Sequence, residues 1–326
     1  LTFFQSKKIL VTGGTGMIGR QLVPLLIEAG AEVRVAALDD PSLSDSRTEY
    51  RRGDLTDRSF CDEIVAGQDM VFHLAGIKGA AGLSARKPAS FFVPLILMNT
   101  QMMAAAHTAG VERYLYTSSI AVYEPKAVFV EDEAWDGPPH PSDLFPSWAK
   151  RMGELQAEAY KIEHGWDKIA IVRPANVYGP GDDFSPNGMV IPSLIRRVVE
   201  GESPLVVWGD GSTVRDFIFS RDVARGMMLA IEKGADCTPM NLGSGDGVAI
   251  RDLVAALRNI LDDPPEVVWD TDKPTGEPIR LMDLTRAREK IGFQPQTSLE
   301  EGVKETFEWY LENGGGADTR FSAFDR

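Results

Sequence analysis

Apolar and polar positions alternate along the first 175 residues in two rhythms. Short apolar runs at 8–12, 32–38, 70–75, 113–117 and 168–172 read as strands, and between them apolar positions recur at helical spacing over 21–29, 99–109 and 149–163. Strands separated by helices predict a doubly wound parallel α/β sheet, covered on both faces. The helix over 99–109 is expected to take Asn99 as its cap and to stop before Gly110. Beyond Pro174 the elements shorten. Gly179-Pro180-Gly181, Gly209-Asp210-Gly211 and Gly243-Ser244-Gly245 punctuate this half, with helices expected at 191–200, 222–232, 251–261 and 299–311. The pattern predicts a sheet domain over 1–175 with a later return of the chain near 215–240, a smaller α/β lobe over 176–313, and a flexible tail over 314–326.

The first strand-to-helix junction carries the most specific local signal. Thr12-Gly13-Gly14-Thr15-Gly16-Met17-Ile18-Gly19 follows the apolar run Ile9-Leu10-Val11 and leads into a helix. Gly13 suits a tight turn, Gly16 the approach of a pyrophosphate to the backbone, and Gly19 close helix packing, with the first N–H groups of the helix, at Met17 and Ile18, facing phosphates. This is a Rossmann-type dinucleotide site. Ligands in such sheets bind outside the carboxyl ends of the strands. There, Gly53-Asp54-Leu55 puts Asp54 against an adenine amino group, Leu74-Ala75-Gly76 forms a small-residue floor under the cofactor, and the hydroxyls of Thr117-Ser118-Ser119 face a carbonyl or alcohol.

Composition narrows the partners. The net charge of −14 opposes nucleic acid, which requires concentrated Lys and Arg. The longest apolar stretch, near 91–98, reads as too short to span a bilayer, and no leader pattern is seen, so a cytoplasmic protein without a membrane partner is expected. Two cysteines, Cys61 and Cys237, lack metal-ligand spacing, and no metal is expected. His73 lies on an apolar strand and reads as a satisfied core group, while His107, His140 and His164 read as surface.

Several further motifs stand in a fixed order: Ser118-Ser119-Ile120-Ala121-Val122-Tyr123, Arg173-Pro174-Ala175-Asn176-Val177-Tyr178-Gly179-Pro180-Gly181 and Arg215-Asp216-Phe217. With the glycine loop and Gly53-Asp54-Leu55 they resemble the extended short-chain dehydrogenase/reductases, the NAD-dependent epimerase/dehydratase group that modifies nucleotide sugars. The resemblance covers about residues 7 to 313. The second half is most similar to the GDP-L-fucose synthase branch, through Val190-Ile191-Pro192, Trp208-Gly209-Asp210-Gly211 and Trp269-Asp270-Thr271-Asp272-Lys273-Pro274. It implies cofactor contacts from Thr117, Lys150, Pro174, Asn176 and Val177, and a nucleotide-diphosphate sugar held by Lys78, Ser119, Asn176, Val190, Arg215 and Arg280. A guanidinium matches phosphate oxygens bidentately, which makes Arg215 the leading diphosphate ligand and Arg280 the second. The resemblance also implies a homodimer through the helices over 99–109 and 149–163.

Catalysis in that family resembles a Ser/Thr with Tyr-x-x-x-Lys. Lys150 matches the lysine. Four residues earlier, where the tyrosine belongs, stands Pro146, which has no ionisable group. No Tyr occurs from Glu124 through Ala159, so a shifted alignment does not supply one. Either another group moves the proton, with Tyr123, Ser119 and Lys78 as candidates, or the chain binds cofactor and sugar with little turnover. Ser119-Ile120-Ala121 stands where the family's dehydratases resemble Thr-Asp-Glu, and Ile120 and Met189 replace the Cys and His of its 3,5-epimerising members. What remains is redox at the sugar C4, by a 4-epimerase or a 4-keto reductase. Asp39 and Asp40 after the second strand, with no arginine there, favour NAD over NADP.

Overall fold

The structure is a computed structural model that describes residues 2–77, 81–186 and 188–313. Its strands are, in chain order, β1 (Lys8–Thr12), β2 (Glu32–Ala37), β3 (Glu49–Arg52), β4 (Met70–His73), β5 (Arg113–Thr117), β6 (Val128–Phe129), β7 (Ile169–Pro174), β8 (Asn176–Tyr178), β9 (Leu205–Trp208), β10 (Val214–Phe219), β11 (Pro239–Leu242), β12 (Gly247–Ala249), β13 (Val267–Asp270) and β14 (Ile279–Met282). The helices are α1 (Met17–Glu28), α2 (Arg58–Val65), α3 (Ala81–Arg86), α4 (Pro88–Thr108), α5 (Leu144–His164), α6 (Val190–Val199), α7 (Ser220–Lys233), α8 (Ile250–Asn259), α9 (Thr285–Ile291) and α10 (Leu299–Glu312).

Seven parallel strands form the main sheet in the order β11-β7-β5-β4-β1-β2-β3. Side chains alternate between its faces, as the period of a strand requires. Ile9, Val11, Val35 and Phe72 enter a core shared with α1 and α7, while Leu10, Ala36, Val71 and Tyr116 enter one shared with α2, α4 and α5. The direction of winding reverses between β1 and β4, so the ligand crevice of a doubly wound sheet opens there. The remaining strands build a smaller layer: β12-β10-β14-β6, with β8 also on β10, and the pair β13-β9. A third core joins it to α6, α8 and α10.

Two sequence expectations fail at α4. The helix begins at Pro88 rather than Asn99, and its 21 residues carry the apolar stretch past the length of a bilayer span. Pro88 stands in the first turn, where its missing N–H costs nothing, and Pro94 only interrupts the ladder locally. Asn99 is no cap. It is 1% exposed in the middle of the helix, and its polar atoms are satisfied by His73 and Tyr116. One face of the helix packs along the sheet and against α5, burying Phe91, Leu95, Met102 and Met103.

Candidate active site

The glycine loop is shaped by close contacts. Gly13 holds φ +68°, and a Cβ there would stand 2.9 Å from N and Cα of Ala75, after β4. Gly19 lets α1 lie on the loop itself, since a Cβ would fall 2.5 Å from Gly13 O. At Gly16 a Cβ would meet only that oxygen, at 3.3 Å, so one side of the loop stays open. Gly16 caps α1 without a side-chain bond. The N–H groups of Met17, Ile18 and Gly19 therefore remain for an anion at the positive end of the helix. These features fit a dinucleotide pyrophosphate.

The two acids after β2 divide their roles. Asp39 accepts a hydrogen bond from Thr15 Oγ1 of the glycine loop, whereas Asp40 accepts from Ser42 N at 2.9 Å and caps a single turn. Sequence reading found no arginine here. The parallel register pairs Ala37 with Arg52 of β3, and Arg52 Nε donates to Leu38 O at 3.0 Å, so a cation stands at this edge after all. Asp54 Oδ1 accepts from Thr56 N and Oγ1, at 2.9 and 2.8 Å, while Asp57 caps α2. Leu55 is buried.

Beneath the crevice runs a chain of buried polar groups. Thr12 Oγ1 accepts from Ala75 N at 3.3 Å and shares a 2.8 Å bond with His73 Nδ1; His73 Nε2 meets Asn99 Oδ1 at 3.0 Å; Asn99 Nδ2 donates to Tyr116 OH at 3.0 Å, which donates to Lys150 O at 3.1 Å. Burial, aided by the Lys150 charge, lowers the His73 pKa to about 3, so it stays neutral. His73 is the satisfied core group that its strand position predicts.

At the carboxyl end of β5, Lys150 Nζ donates to Thr117 O at 2.7 Å and lies 5.6 Å from the Tyr116 ring centre. Gly76 is beside it: a Cβ there would stand 3.9 Å from Nζ. Burial lowers the lysine pKa to about 8. Thr117 Oγ1 is buried and finds no partner among the described residues, an atom that a bound ligand would satisfy. Ser119 Oγ accepts from Ala121 N at 3.1 Å and is half-buried, while Ser118 Oγ donates to Glu154.

Tyr123 does not fit the proton-transfer role considered for it. It is 3% exposed, its hydroxyl donates to Asn241 Oδ1 at 2.6 Å and accepts from Arg173 Nη1 at 2.9 Å, and burial holds its pKa well above the usual phenol value. It belongs to a closed network with Glu131, Glu154 and Arg173. Lys78 lies outside the described residues. Pro146 occupies the first turn of α5, where a proline is tolerated.

In the smaller layer, β10 and β14 pair in parallel with Arg215 opposite Arg280. Arg215 donates only to backbone oxygens, those of Val214 and Glu277 at 2.8 Å and Thr275 at 3.0 Å, and its pKa falls to about 10 through burial and the Arg280 charge. Arg280 has its guanidinium 5.6 Å from the Phe129 ring centre and no hydrogen bond or ion pair among the described residues. Neither guanidinium bonds a carboxylate among the described residues, although Glu277 acts electrostatically on both. Asn176 Nδ2 donates to Asp216 O at 2.8 Å, Pro174 ends β7, Val177 pairs with Ile218, and Val190 opens α6. His140, read as surface, bonds Glu277 at 2.8 Å. Nothing in its local sequence signals that partner, which comes from 137 positions away.

The family model for the NAD dependent epimerase/dehydratase family matches residues 9–243. The chain is 31% identical to a protein named putative GDP-L-fucose synthase 2 from Arabidopsis thaliana, over 95% of this chain and 93% of that one. It is 32% identical to a dTDP-4-dehydro-6-deoxy-D-allose reductase from Streptomyces bikiniensis, over 93% and 96% of the two chains. The crystal structure of UDP-glucose 4-epimerase with UDP-glucose from Thermotoga maritima superposes with a TM-score of 0.82 at 30% identity, covering 94% of this chain and 99% of that one.

Proposed function

The chain belongs to the NAD-dependent epimerase/dehydratase family, as an NAD(P)-dependent enzyme of the nucleotide-sugar epimerase and reductase kind, and from this we propose that it acts at the sugar C4, as a 4-epimerase or 4-keto reductase. The observations that carry the reading are Lys150 at the carboxyl end of β5 and the opposed Arg215 and Arg280 on β10 and β14, which would take the diphosphate. In this reading the glycine loop with Met17 and Ile18 holds the dinucleotide pyrophosphate, and Asp54 and Leu55 border the adenine. Leu74, Ala75, Gly76, Thr117, Pro174, Asn176 and Val177 line the rest of its site, and Ser119, Val190 and Lys78 border the sugar. The dinucleotide supplies hydride exchange at the sugar carbon. The protein's own groups orient the sugar and move the proton.

NAD is the favoured cofactor, because the Asp39 carboxylate stands beside the loop where a 2'-phosphate would be repelled. Arg52 is the residue that would temper this preference. Titration with NAD and NADP tests the point: wild type binds NAD more tightly, and Asp39→Asn narrows the gap. We also propose the domain division given by the sequence, a cytoplasmic location, and a homodimer through α4 and α5, where Val93, Leu97, Leu155 and Ile162 are exposed.

The experiment for the main reading is incubation with NAD(H) or NADP(H) and a panel of UDP-, GDP-, CDP- and dTDP-hexoses and 4-keto-hexoses, following nicotinamide absorbance and sugar identity. Conversion at C4 is expected. Tight binding of cofactor and sugar without any conversion would support the second reading, a binding protein with little catalysis, which Pro146 and the enclosed Tyr123 hydroxyl favour.

A further inference from the structure

We propose that Lys150 itself is the proton donor and acceptor at the reacting sugar oxygen, the part that a phenol one turn earlier on α5 would otherwise take. The inference rests on the C4 redox reading above. It starts from what surrounds the amine. An ammonium has three N–H donors, and among the described residues only one is spent, on Thr117 O at 2.7 Å. Among the described residues no carboxylate forms an ion pair with it. Glu154, the acid one turn on along α5, is held by Arg173 Nε and Nη2 at 2.9 and 2.6 Å and by Ser118, and so is committed elsewhere.

Among the described residues, the other elements packed around Nζ give it no proton partner either. From β4 comes His73, neutral and bonded on both ring nitrogens; from β5 comes the Tyr116 ring face, with its hydroxyl already bonded to Asn99 and Lys150 O. Gly76 leaves the approach to Nζ free of a side chain. Of the other candidates, the two that lie among the described residues are weaker. Tyr123 is enclosed, and Ser119, a hydroxyl of high intrinsic pKa, has among the described residues only the Ala121 N–H as partner and no base to activate it.

Burial brings the Lys150 pKa to about 8, near working pH, where a group serves both as acid and as base. In ketone reduction the C=O π bond breaks, hydride from the reduced nicotinamide dinucleotide forms the new C–H bond, and the oxygen takes a proton from the Lys150 ammonium. The neutral amine then regains a proton from water. In alcohol oxidation the neutral amine receives the hydroxyl proton as the oxidised dinucleotide accepts hydride.

Two measurements test this. In protein carrying 13C-labelled lysine, without added cofactor, the Cε resonance of Lys150, assigned by its loss in Lys150→Arg, is expected to titrate with a midpoint near 8. A midpoint near the ordinary lysine value, about 10.4, would overturn the proposal. With dTDP- and GDP-linked 4-keto-6-deoxyhexoses, kcat/KM for reduction should fall as pH rises through the lysine's midpoint, and kcat/KM for oxidation should rise. Lys150→Arg keeps the charge and gives up the transferable proton, so cofactor Kd should stay within a few-fold while kcat drops by about 100- to 10,000-fold. Ser119→Ala should keep the pH limb. If Lys150→Arg retains kcat within tenfold, the proposal alone falls, and the C4 reading stands. If wild type converts no sugar on the panel, both fall. Should Lys150→Arg fold poorly, the wild-type titration and pH profile still decide.

Discussion

Lys150 carries a charge that its surroundings make costly to keep. With the folded pKa lowered to about 8 from an unfolded value of 10.5, the unfolded chain binds more protons between those values, so stability rises with pH across that window. Below pH 8 the full cost of the buried ammonium is present. Lys150→Met is therefore expected to raise Tm at pH 7, by roughly 2–4 °C for each kcal/mol relieved, with the advantage shrinking by pH 10. Calorimetry at the two pH values checks it, and an equal or inverted gap would contradict it. Arg280 makes the complementary case. On the proposed diphosphate contact, Arg280→Met removes a charge-assisted bond worth about 1.5–3 kcal/mol, so KM for the nucleotide sugar should rise by about 10- to 100-fold with kcat little changed. At this scale the sequence was a mixed guide. His73 was legible because an apolar strand that carries one histidine implies a buried, satisfied ring. Tyr123 misled, because the motif names the residue but not the direction of its hydroxyl, which Arg173 and Asn241 capture inside the core.

Elements were legible where periodicity was long and blurred where polar residues served the interior. The reading of α4 stopped at Asn99 because a polar residue beside an apolar run resembles a cap, whereas here it links β4, β5 and α5 through His73 and Tyr116. Asn99→Leu leaves His73 Nε2 unsatisfied and removes the donor to Tyr116. A loss of about 1–3 kcal/mol is expected from urea unfolding. Tyr116→Phe should couple to it: the double variant should lose measurably less than the two single losses added together, as for groups in one hydrogen-bond network. Strict additivity would mean that the chain of bonds does not act as a unit. The short strand β3 and helix α2 escaped the sequence reading for a different reason. The Glu49–Arg52 segment lies at the sheet edge with mostly exposed side chains, so it lacks an apolar run, and the eight residues of α2 show only two turns of periodicity.

The order of strands is a property of the whole chain, and local patterns carry little of it. Alternation announced a parallel sheet, but only the assembled order sets Arg52 beside the end of β2 and brings Glu277 to His140. The same scale governs assembly. A chain of net charge −14 repels its copies, so a stable pair needs an apolar seam where water release outweighs that repulsion. We propose that exposed aliphatic side chains of α4 and α5 supply it: Val93 and Leu97 on α4 are 50% and 39% exposed, and Leu155 and Ile162 on α5 are 41% and 77% exposed. On that proposal the four side chains of the two adjacent helices meet their equivalents about a twofold axis. Leu155→Glu with Ile162→Glu would put like charges across that axis while leaving the buried faces of both helices untouched. Sedimentation equilibrium is expected to give twice the chain mass for wild type and the single chain mass for the double variant, with unchanged far-ultraviolet circular dichroism. Salt should tighten the wild-type pair, since it screens the repulsion and leaves the apolar contact intact. A wild-type protein that sediments as a single chain at every salt concentration would remove the seam from the account.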